Sequence, residues 1–308
     1  MSIVAIDLGG TKVASALFTD SGTLLNRDST LLNGRQGSEV SQLITDQIIK
    51  YIEKSDADVQ SVGISVPGIS RSKTGTVWAP NIPGWDDYPL LEDIKRQIPG
   101  IPVYIDSDRS CCILGEVWQG NAKGIEDAIF ITVGTGIGAG IIMNGQIIRG
   151  AHDIAGAIGW LALQKPFEVK YTACGNFEYY ASGEGIARLA KEMMGKSLKY
   201  QGVLSKNDVK AHDVFEAYNL NDPIAISVIH SCIQYWGMAA ANLVSIFNPE
   251  KIIFGGGVFG PAIPFIGDIK KEAAQWAQPI SMAQVRFERS ALSSDAALYG
   301  AAYLTLKK

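Results

Sequence analysis

Apolar positions along the chain fall into two repeating arrangements. Runs of Val, Ile, Ala and Leu occupy residues 2–8 and 13–19 and meet at the short link Gly9-Gly10-Thr11-Lys12, which predicts an antiparallel hairpin. A third strand is expected over Leu24–Leu31. Val40, Leu43, Ile44, Ile48 and Ile52 then recur at helical spacing, predicting a helix from about Ser38 to Glu53. "VQSVGISV" reads as a buried strand ended by Pro67-Gly68, "APNIPGWDDYPL" as a loop, and "PVYID" as a short strand. "RSCCILGEVWQG" has helical character up to Gly120.

The pattern then restarts. "DAIFITVGTGIGAGIIMNGQIIRG" is again strand, glycine turn, strand, with Asn144-Gly145 in the place of Ser21-Gly22. Two related halves, each opening on a glycine-cornered hairpin, are the simplest explanation. Beyond Asn176 the chain turns mainly helical. Asp222-Pro223 is a helix start, with Asp as cap and Pro in the first turn, and Ile224–Phe247 forms the longest apolar helix. "EKIIFGGGVFG" is a strand running into glycines, Pro261–Ala277 is helical, "AQVRFERS" is a last strand, and a closing helix begins at Ser294. The alternation argues an α/β protein with helices covering mixed sheets.

Composition narrows the classes. The 308 residues are 47% hydrophobic and 19% charged, enough apolar material for extensive cores, and the net charge of −4 comes with no run of Lys and Arg. A nucleic acid partner is therefore not expected. His230, Gln234 and Asn242 interrupt the longest apolar stretch, which reads as buried helix and not as a membrane span, with His230 as a satisfied core residue. Cys111, Cys112, Cys174 and Cys232 form no CxxC pair, and strand-like sequence starts at Ser2 where a signal peptide would stand. A reducing, cytoplasmic setting is the expectation. His152, His212 and His230 are too scattered to suggest a metal cluster.

Three glycine corners follow apolar strands: Gly9-Gly10, Gly134-Thr135-Gly136, and Gly255-Gly256-Gly257. Backbone N–H groups in such corners can converge on an anion, because no Cβ blocks close approach. Any one alone reads as a hairpin or strand end; three in one chain favour a nucleotide. Asp7 ends an otherwise apolar strand, where an unpaired carboxylate is costly, and a Mg²⁺ held directly or through water would compensate it. The alternative is that Asp7 bonds its own turn. Lys12 is either a phosphate contact or a solvated turn lysine.

"IDLGGTK", "VGTGIGAGIIMNG", "NPEKIIFGGGV" and "DAALYGAAYL" together resemble the ROK family of sugar kinases, glucokinase-like members of the hexokinase/actin-like superfamily of two-lobed ATPases. The resemblance implies a ribonuclease H-like, actin-like fold, with a small lobe over 1–120 to which helix 294–308 returns and a large lobe over 121–293. It implies Mg-ATP, with Asp7, Gly9, Gly10, Thr11 and Lys12 as the first phosphate loop, Gly134, Thr135 and Gly136 as the second, and Gly255, Gly256 and Gly257 near the nucleoside.

"DSDRSCCILGE" resembles the family segment "ENDANAAALGE", so that Asp108 falls on the catalytic base, Ser107 on a sugar-binding Asn, and Asp106 on the preceding Glu, read here as structural. Asp108 is equally explained, on its own, as a helix N-cap. Gly68 and Asn81 match the remaining sugar contacts; Trp85 reads as packing.

The next segment departs from the pattern. The family reads "AGEIGH", whose Glu grips sugar hydroxyls and whose His binds sugar and zinc; this chain reads "AGAIGW", with Ala157 and Trp160 at those places. The zinc motif "CxCGxxGCxE" is reduced to "TACGNFEYYASG", keeping Cys174 and Glu178. A structural zinc needs about four Cys or His ligands, so no zinc is expected, Trp160 is expected to fill the vacated space by packing, and Glu178 remains a sugar-binding candidate. The implied reaction is ATP-dependent phosphorylation of a sugar hydroxyl, the 6-hydroxyl of a hexose or hexose derivative, by a homodimer. The alternative is a catalytically weak or silent sugar- or nucleotide-binding regulator. Family repressors place a helix-turn-helix before the first motif, and six residues precede Asp7 here, which weighs against a repressor.

Overall fold

The computed structural model describes residues 1–54, 58–196, 200–205 and 208–307, which group into two compact units. Unit 1 comprises Met1–Ile125, Ile147–Ala155 and Ala291–Lys308; unit 2 comprises Glu126–Gln146 and Gly156–Ser290. The sequence boundaries put Ile147–Ala155 in the second half, whereas this short return groups with unit 1.

Unit 1 is built on β1 (Ser2–Leu8), β2 (Lys12–Thr19), β3 (Leu24–Leu31), β4 (Val59–Val66), the small pair β5 (Ile69–Ser70) and β6 (Val77–Trp78), and β7 (Val103–Ser107). The main sheet has the order β3-β2-β1-β4-β7, with β1, β2 and β3 antiparallel and β4 and β7 running parallel to β1. Its helices are α1 (Ser38–Lys54), α2 (Leu90–Gln97), α3 (Asp108–Gln119) and a last helix at Ala296–Leu304. The central strand β1 is apolar on both faces because both are covered. Val4, Ile6 and Leu8 pack with residues of α1 and α2, while Ile3 and Ala5 pack with Cys111, Leu298 and Ala301. The edge strand β3 is mostly exposed and correspondingly polar at Asn26, Arg27 and Asp28.

Unit 2 repeats the plan. It contains β8 (Ala128–Val133), β9 (Ile137–Met143), β10 (Gln146–Ile147), β11 (Lys251–Gly255) and β12 (Arg286–Arg289), in the order β10-β9-β8-β11-β12. Again a hairpin, β8 and β9, is followed by two strands parallel to its first member. Helices α4 (Asn176–Ala181), α5 (Gly183–Lys196), α6 (Ala211–Asn219), α7 (Pro223–Phe247), α8 (Ile266–Trp276) and α9 (Pro279–Gln284) accompany it, so the helix at Ala296–Leu304 is α10. Matching strand orders bear out the two related halves.

Helix α7 starts as its sequence predicts: Asp222 caps it, accepting from the backbone N–H groups of Ile224 and Ala225 at 3.0 and 3.1 Å, with Pro223 in the first turn. Val228, Ile229, Cys232, Tyr235 and Trp236 are buried along one face. His230 is exposed, which corrects its reading as a core residue: the helical period puts 227, 230 and 234 on the opposite face.

Small residues let α10 lie directly against α3 and β4. A Cβ on Gly300 would stand 1.7 Å from the Cys111 carbonyl oxygen, one on Gly115 2.1 Å from that of Ala296, and one on Gly63 1.8 Å from that of Ala301. Glu116, fully buried on α3, accepts from the backbone N–H groups of Asn121, Ala291 and Leu292, fixing the chain that leads into α10. Bonds of this kind satisfy a carboxylate that burial would otherwise make expensive.

Candidate active site

In unit 1 the parallel strands β1, β4 and β7 deliver Asp7, Ser65 and Asp106 in register, Asp7 beside Ser65 across one pair and Ser65 beside Asp106 across the next, with Ser107 closing β7. Asp7 is one residue before the end of β1. Ser65 Oγ donates to its Oδ1 at 2.8 Å, so Asp7 bonds a neighbouring strand and not its own turn. Burial pushes the Asp7 carboxyl up to about 6; the Ser65 bond pulls it down, and the charges of Asp108 and Asp295 push it further up. Such a carboxylate, short of compensating charge, fits a hard divalent cation by its donor chemistry.

The turn Gly9-Gly10-Thr11 joins β1 to β2 and is closed by Gly9 N–H donating to the Lys12 carbonyl at 2.9 Å. Gly10, Thr11 and Lys12 are exposed. A Cβ on Gly10 would stand 3.0 Å from Asn81 Nδ2, so the first phosphate-loop candidate and one sugar-binding candidate are neighbours. Asn81 is exposed on a loop braced by Trp85, which is buried, stacks on Tyr88 at 4.9 Å and donates Nε1–H to the Gly37 carbonyl at 3.0 Å. Trp85 is packing, as its sequence suggests.

Ser107, not Asp108, caps α3: its Oγ accepts from Ser110 N–H at 3.4 Å. Asp108 is the first helical residue, and its Oδ1 accepts from the backbone N–H of Arg109 at 2.7 Å. The capping explanation of Asp108 is thereby removed. Burial raises the Asp108 pKa, and the Arg109 charge and the Arg109 backbone bond lower it. The Ser107 hydroxyl also donates to Ser110 Oγ at 3.1 Å and is buried. Asp106 is buried and held by Arg149, whose Nε and Nη2 donate to Oδ2 at 3.0 and 2.5 Å. That bond ties the Ile147–Ala155 return to β7 and bears out a structural reading of Asp106.

Gly68, at φ +82°, ends the β4 turn; a Cβ there would lie 2.1 Å from the Trp78 carbonyl oxygen, so only glycine fits. Its own carbonyl accepts from Arg109 Nη2 at 3.1 Å. Sequence reasoning passed over Arg109. The signal was present, since arginine stands where the family segment "ENDANAAALGE" has alanine.

In unit 2 the second corner spans Gly134-Thr135-Gly136 between β8 and β9, with Gly134 N–H donating to the Gly136 carbonyl at 2.9 Å. Glu178, on α4, accepts from Ile137 N–H at 2.6 Å, and a Cβ on Gly136 would stand 2.7 Å from its Oε2. Burial raises the Glu178 pKa against the pull of that backbone bond. The sugar-binding candidate Glu178 thus also clamps the hairpin of the second corner. Helix α5 starts at the same corner, with Gly183 N–H donating to the Gly134 carbonyl at 2.8 Å. Gly256, at φ +86°, follows β11 and approaches Val133, leaving Gly257 with no atom near its absent Cβ.

These corners open on a pocket of about 910 Å³ whose lining includes Gly134, Thr135, Gly183, Gly257, Arg188 and Lys210. Its size is in the range of small-molecule and cofactor sites. Arg188 stacks over Tyr179 at 4.3 Å and donates to the Tyr179 carbonyl at 2.9 Å. The basic residues from α5 and the 208–210 segment were missed from sequence, because they follow no glycine corner.

Trp160 is 57% exposed, which corrects the expectation that it fills vacated space. Tyrosines do that work around the shortened motif. Tyr171 and Tyr180 hydroxyls lie 2.9 Å apart, Gln164 Nε2 donates to both at 2.8 and 3.2 Å, and Tyr235 donates to Gln164 Oε1. Tyr180 and Tyr235 rings stack at 4.9 Å. Cys174 Sγ turns to the Gly175 carbonyl at 3.8 Å, and no group of three or more His, Cys, Asp or Glu among the described residues could hold a metal. The residues of this segment do not fit zinc.

A family model described as the ROK family matches residues 3–308. A glucokinase of Halalkalibacterium halodurans is 33% identical over 98% of this chain and 94% of its own length. A xylose repressor of Caldicellulosiruptor bescii is 30% identical over 82% of this chain and 65% of its own length. Among solved structures, a ROK family glucokinase from Streptomyces griseus in complex with glucose and AMPPNP has a TM-score of 0.80 at 28% identity, covering 99% of each chain. The mixed sheets, their repeated strand order and these likenesses give the actin-like ATPase fold. With motifs, fold and relatives in agreement from end to end, the chain belongs to the ROK family.

Proposed function

We propose that the protein phosphorylates a sugar hydroxyl, the 6-hydroxyl of a hexose or hexose derivative, at the expense of ATP, with Asp108 as general base. The observation that carries this reading is the release of Asp108 from helix capping: Ser107 performs it, and Asp108 Oδ2 has no hydrogen-bond partner among the described residues. A carboxylate with a raised pKa and an uncommitted oxygen suits removal of a hydroxyl proton during attack on phosphorus. Asn81, Gly68 and Ser107 are the sugar-binding candidates of unit 1, and Glu178 is that of unit 2. The glycine corners at Gly9–Lys12, Gly134–Gly136 and Gly255–Gly257 would receive ATP, with the unit 2 pocket taking the nucleoside end. Asp7 would hold Mg²⁺ directly or through water; the ion, when bound, offsets phosphate charge.

The test is sugar-dependent ADP release from Mg-ATP over hexoses, N-acetylhexosamines, deoxysugars and glycosides. One sugar class should stimulate release, and Asp108→Asn should cut it about 10²- to 10⁴-fold. Nucleotide binding without any stimulated release would leave the regulator reading in its place. That second reading is favoured by Ala157 and Trp160, which remove two of the family's sugar-gripping side chains, and by the similarity to a xylose repressor.

A further inference from the structure

In unit 2 the chain from Gly156 to Trp160 is fixed by its backbone, and its last side chain is left free. Ala139 N–H donates to the Gly156 carbonyl at 2.7 Å, which pins the segment to β9. Trp160 N–H donates to the Ala157 carbonyl at 3.2 Å and closes a single 3₁₀ turn, Ile158–Trp160. A Cβ on Gly159 would stand 2.9 Å from Glu178 Oε2, and one on Gly175 would stand 2.5 Å from the Trp160 Cα. The Trp160 main chain is thus wedged against the start of α4, beside the sugar-binding candidate Glu178. The fold does not use the indole. Two tryptophans are more than half exposed, and Trp276 donates Nε1–H to Glu272 Oε1 at 2.8 Å. Trp160, by contrast, has neither a hydrogen bond from Nε1 nor a ring contact among the described residues.

Resting on the kinase reading above, we propose that Trp160 is a stacking platform for the acceptor and selects a glycoside, a sugar that carries a ring substituent. Side chains three apart eclipse in a 3₁₀ turn, so Ala157 and Trp160 share one face. That face presents a methyl and an indole where the family motif has a carboxylate and an imidazole. Without the carboxylate a sugar hydroxyl finds no partner there, so an acceptor whose hydroxyl is capped by a substituent loses nothing. A flat substituent gains the apolar area of the indole. An aromatic side chain on a rigid turn has two torsions left to fix, so little entropy opposes the contact. The 6-hydroxyl of a glycoside stays free to react.

The experiment compares phenyl with methyl glycosides of glucose, galactose and mannose, in both anomers, on the same preparation. The readout is the ratio of kcat/KM for the phenyl to the methyl member. The expected result is a ratio above one for at least one pair, falling about tenfold in Trp160→Ala. Trp160→Tyr, which keeps a smaller ring, should restore part of the ratio. Ratios at or below one for every pair overturn the inference. So does a ratio that Trp160→Ala leaves unchanged, including a uniform loss on both members, or one that Trp160→Tyr lowers as far as alanine does. Each ratio is internal to one protein, so partial misfolding does not mimic the effect. Turnover of any methyl glycoside or free sugar that Asp108→Asn abolishes upholds the kinase reading by itself. Without turnover, acrylamide quenching of tryptophan emission decides. A phenyl glycoside that shields emission in the unsubstituted protein and not in Trp160→Tyr supports the inference. No shielding by any glycoside, or shielding that Trp160→Tyr keeps, overturns it.

Discussion

At Asp7 a single carboxylate sets a pH dependence whose sign is fixed. Its pKa of about 6 lies above the ordinary value of 3.8, so the folded protein binds the proton more tightly than the unfolded chain does. Stability therefore falls as pH rises from about 4 to 6, and the full cost, at most about 3 kcal/mol, is present at pH 8. Asp7→Asn keeps an acceptor for Ser65 and removes that cost. Thermal unfolding without nucleotide should show a gain of a few degrees at pH 8 that disappears at pH 4. Mg-ATP should stabilise the unsubstituted protein more than the variant. Much of this site was legible in sequence, because an acid closing an apolar strand and an acid entering a helix are conspicuous. What the sequence did not disclose was which neighbour takes over the ordinary role. Only the register of β1 with β4 hands Asp7 to Ser65, and only the backbone of residue 107 makes Ser107 the cap.

Among the elements, the segment from Ile158 to Ala181 is ordered by hydroxyl and amide groups where the family's zinc motif is cut short. In place of a ligand set it has Gln164 between Tyr171, Tyr180 and Tyr235, and burial raises the pKa of the Tyr171 and Tyr235 hydroxyls, holding them protonated. Tyr171→Phe and Tyr180→Phe should each cost about 1 kcal/mol, read as a lower urea midpoint at unchanged slope. A strong zinc chelator should leave the same transition where it was; a downward shift would show that a metal contributes after all. The strands and long helices of both units followed from periodicity, since a hairpin of Val and Ile around glycine has few other solutions. The tyrosine cluster did not. Its members lie on three separate segments, and residues so far apart in sequence reveal no pattern until they are folded together.

In the whole molecule, one plan is used twice: a glycine-cornered hairpin extended by two parallel strands. The duplication was visible in sequence as two restarts of the same layout, but the membership of the units was not. Unit 1 is assembled from three separated stretches, and its last, Ala291–Lys308, carries α10. Packing at Gly63, Gly115 and Gly300 leaves no room for a Cβ. Gly300→Ala should therefore lower the apparent Tm by several degrees, more than Gly195→Ala, whose added methyl meets nothing within 4 Å.

The three-part composition of unit 1 also has a consequence for biosynthesis. A ribosome delivers residues 1–125 first, but the helix that covers Cys111, Ala5 and Ala16 leaves the tunnel only after all of unit 2 has been made. Throughout that interval the α10-facing side of the first sheet is an apolar surface without its cover, and Glu116 lacks the Ala291 and Leu292 N–H groups it will bond. Unit 2, continuous but for one excursion, can close while its neighbour waits. The nascent chain is thus most dependent on chaperones while residues 126–290 are being made, and premature release there leaves the half that was translated first unfinished.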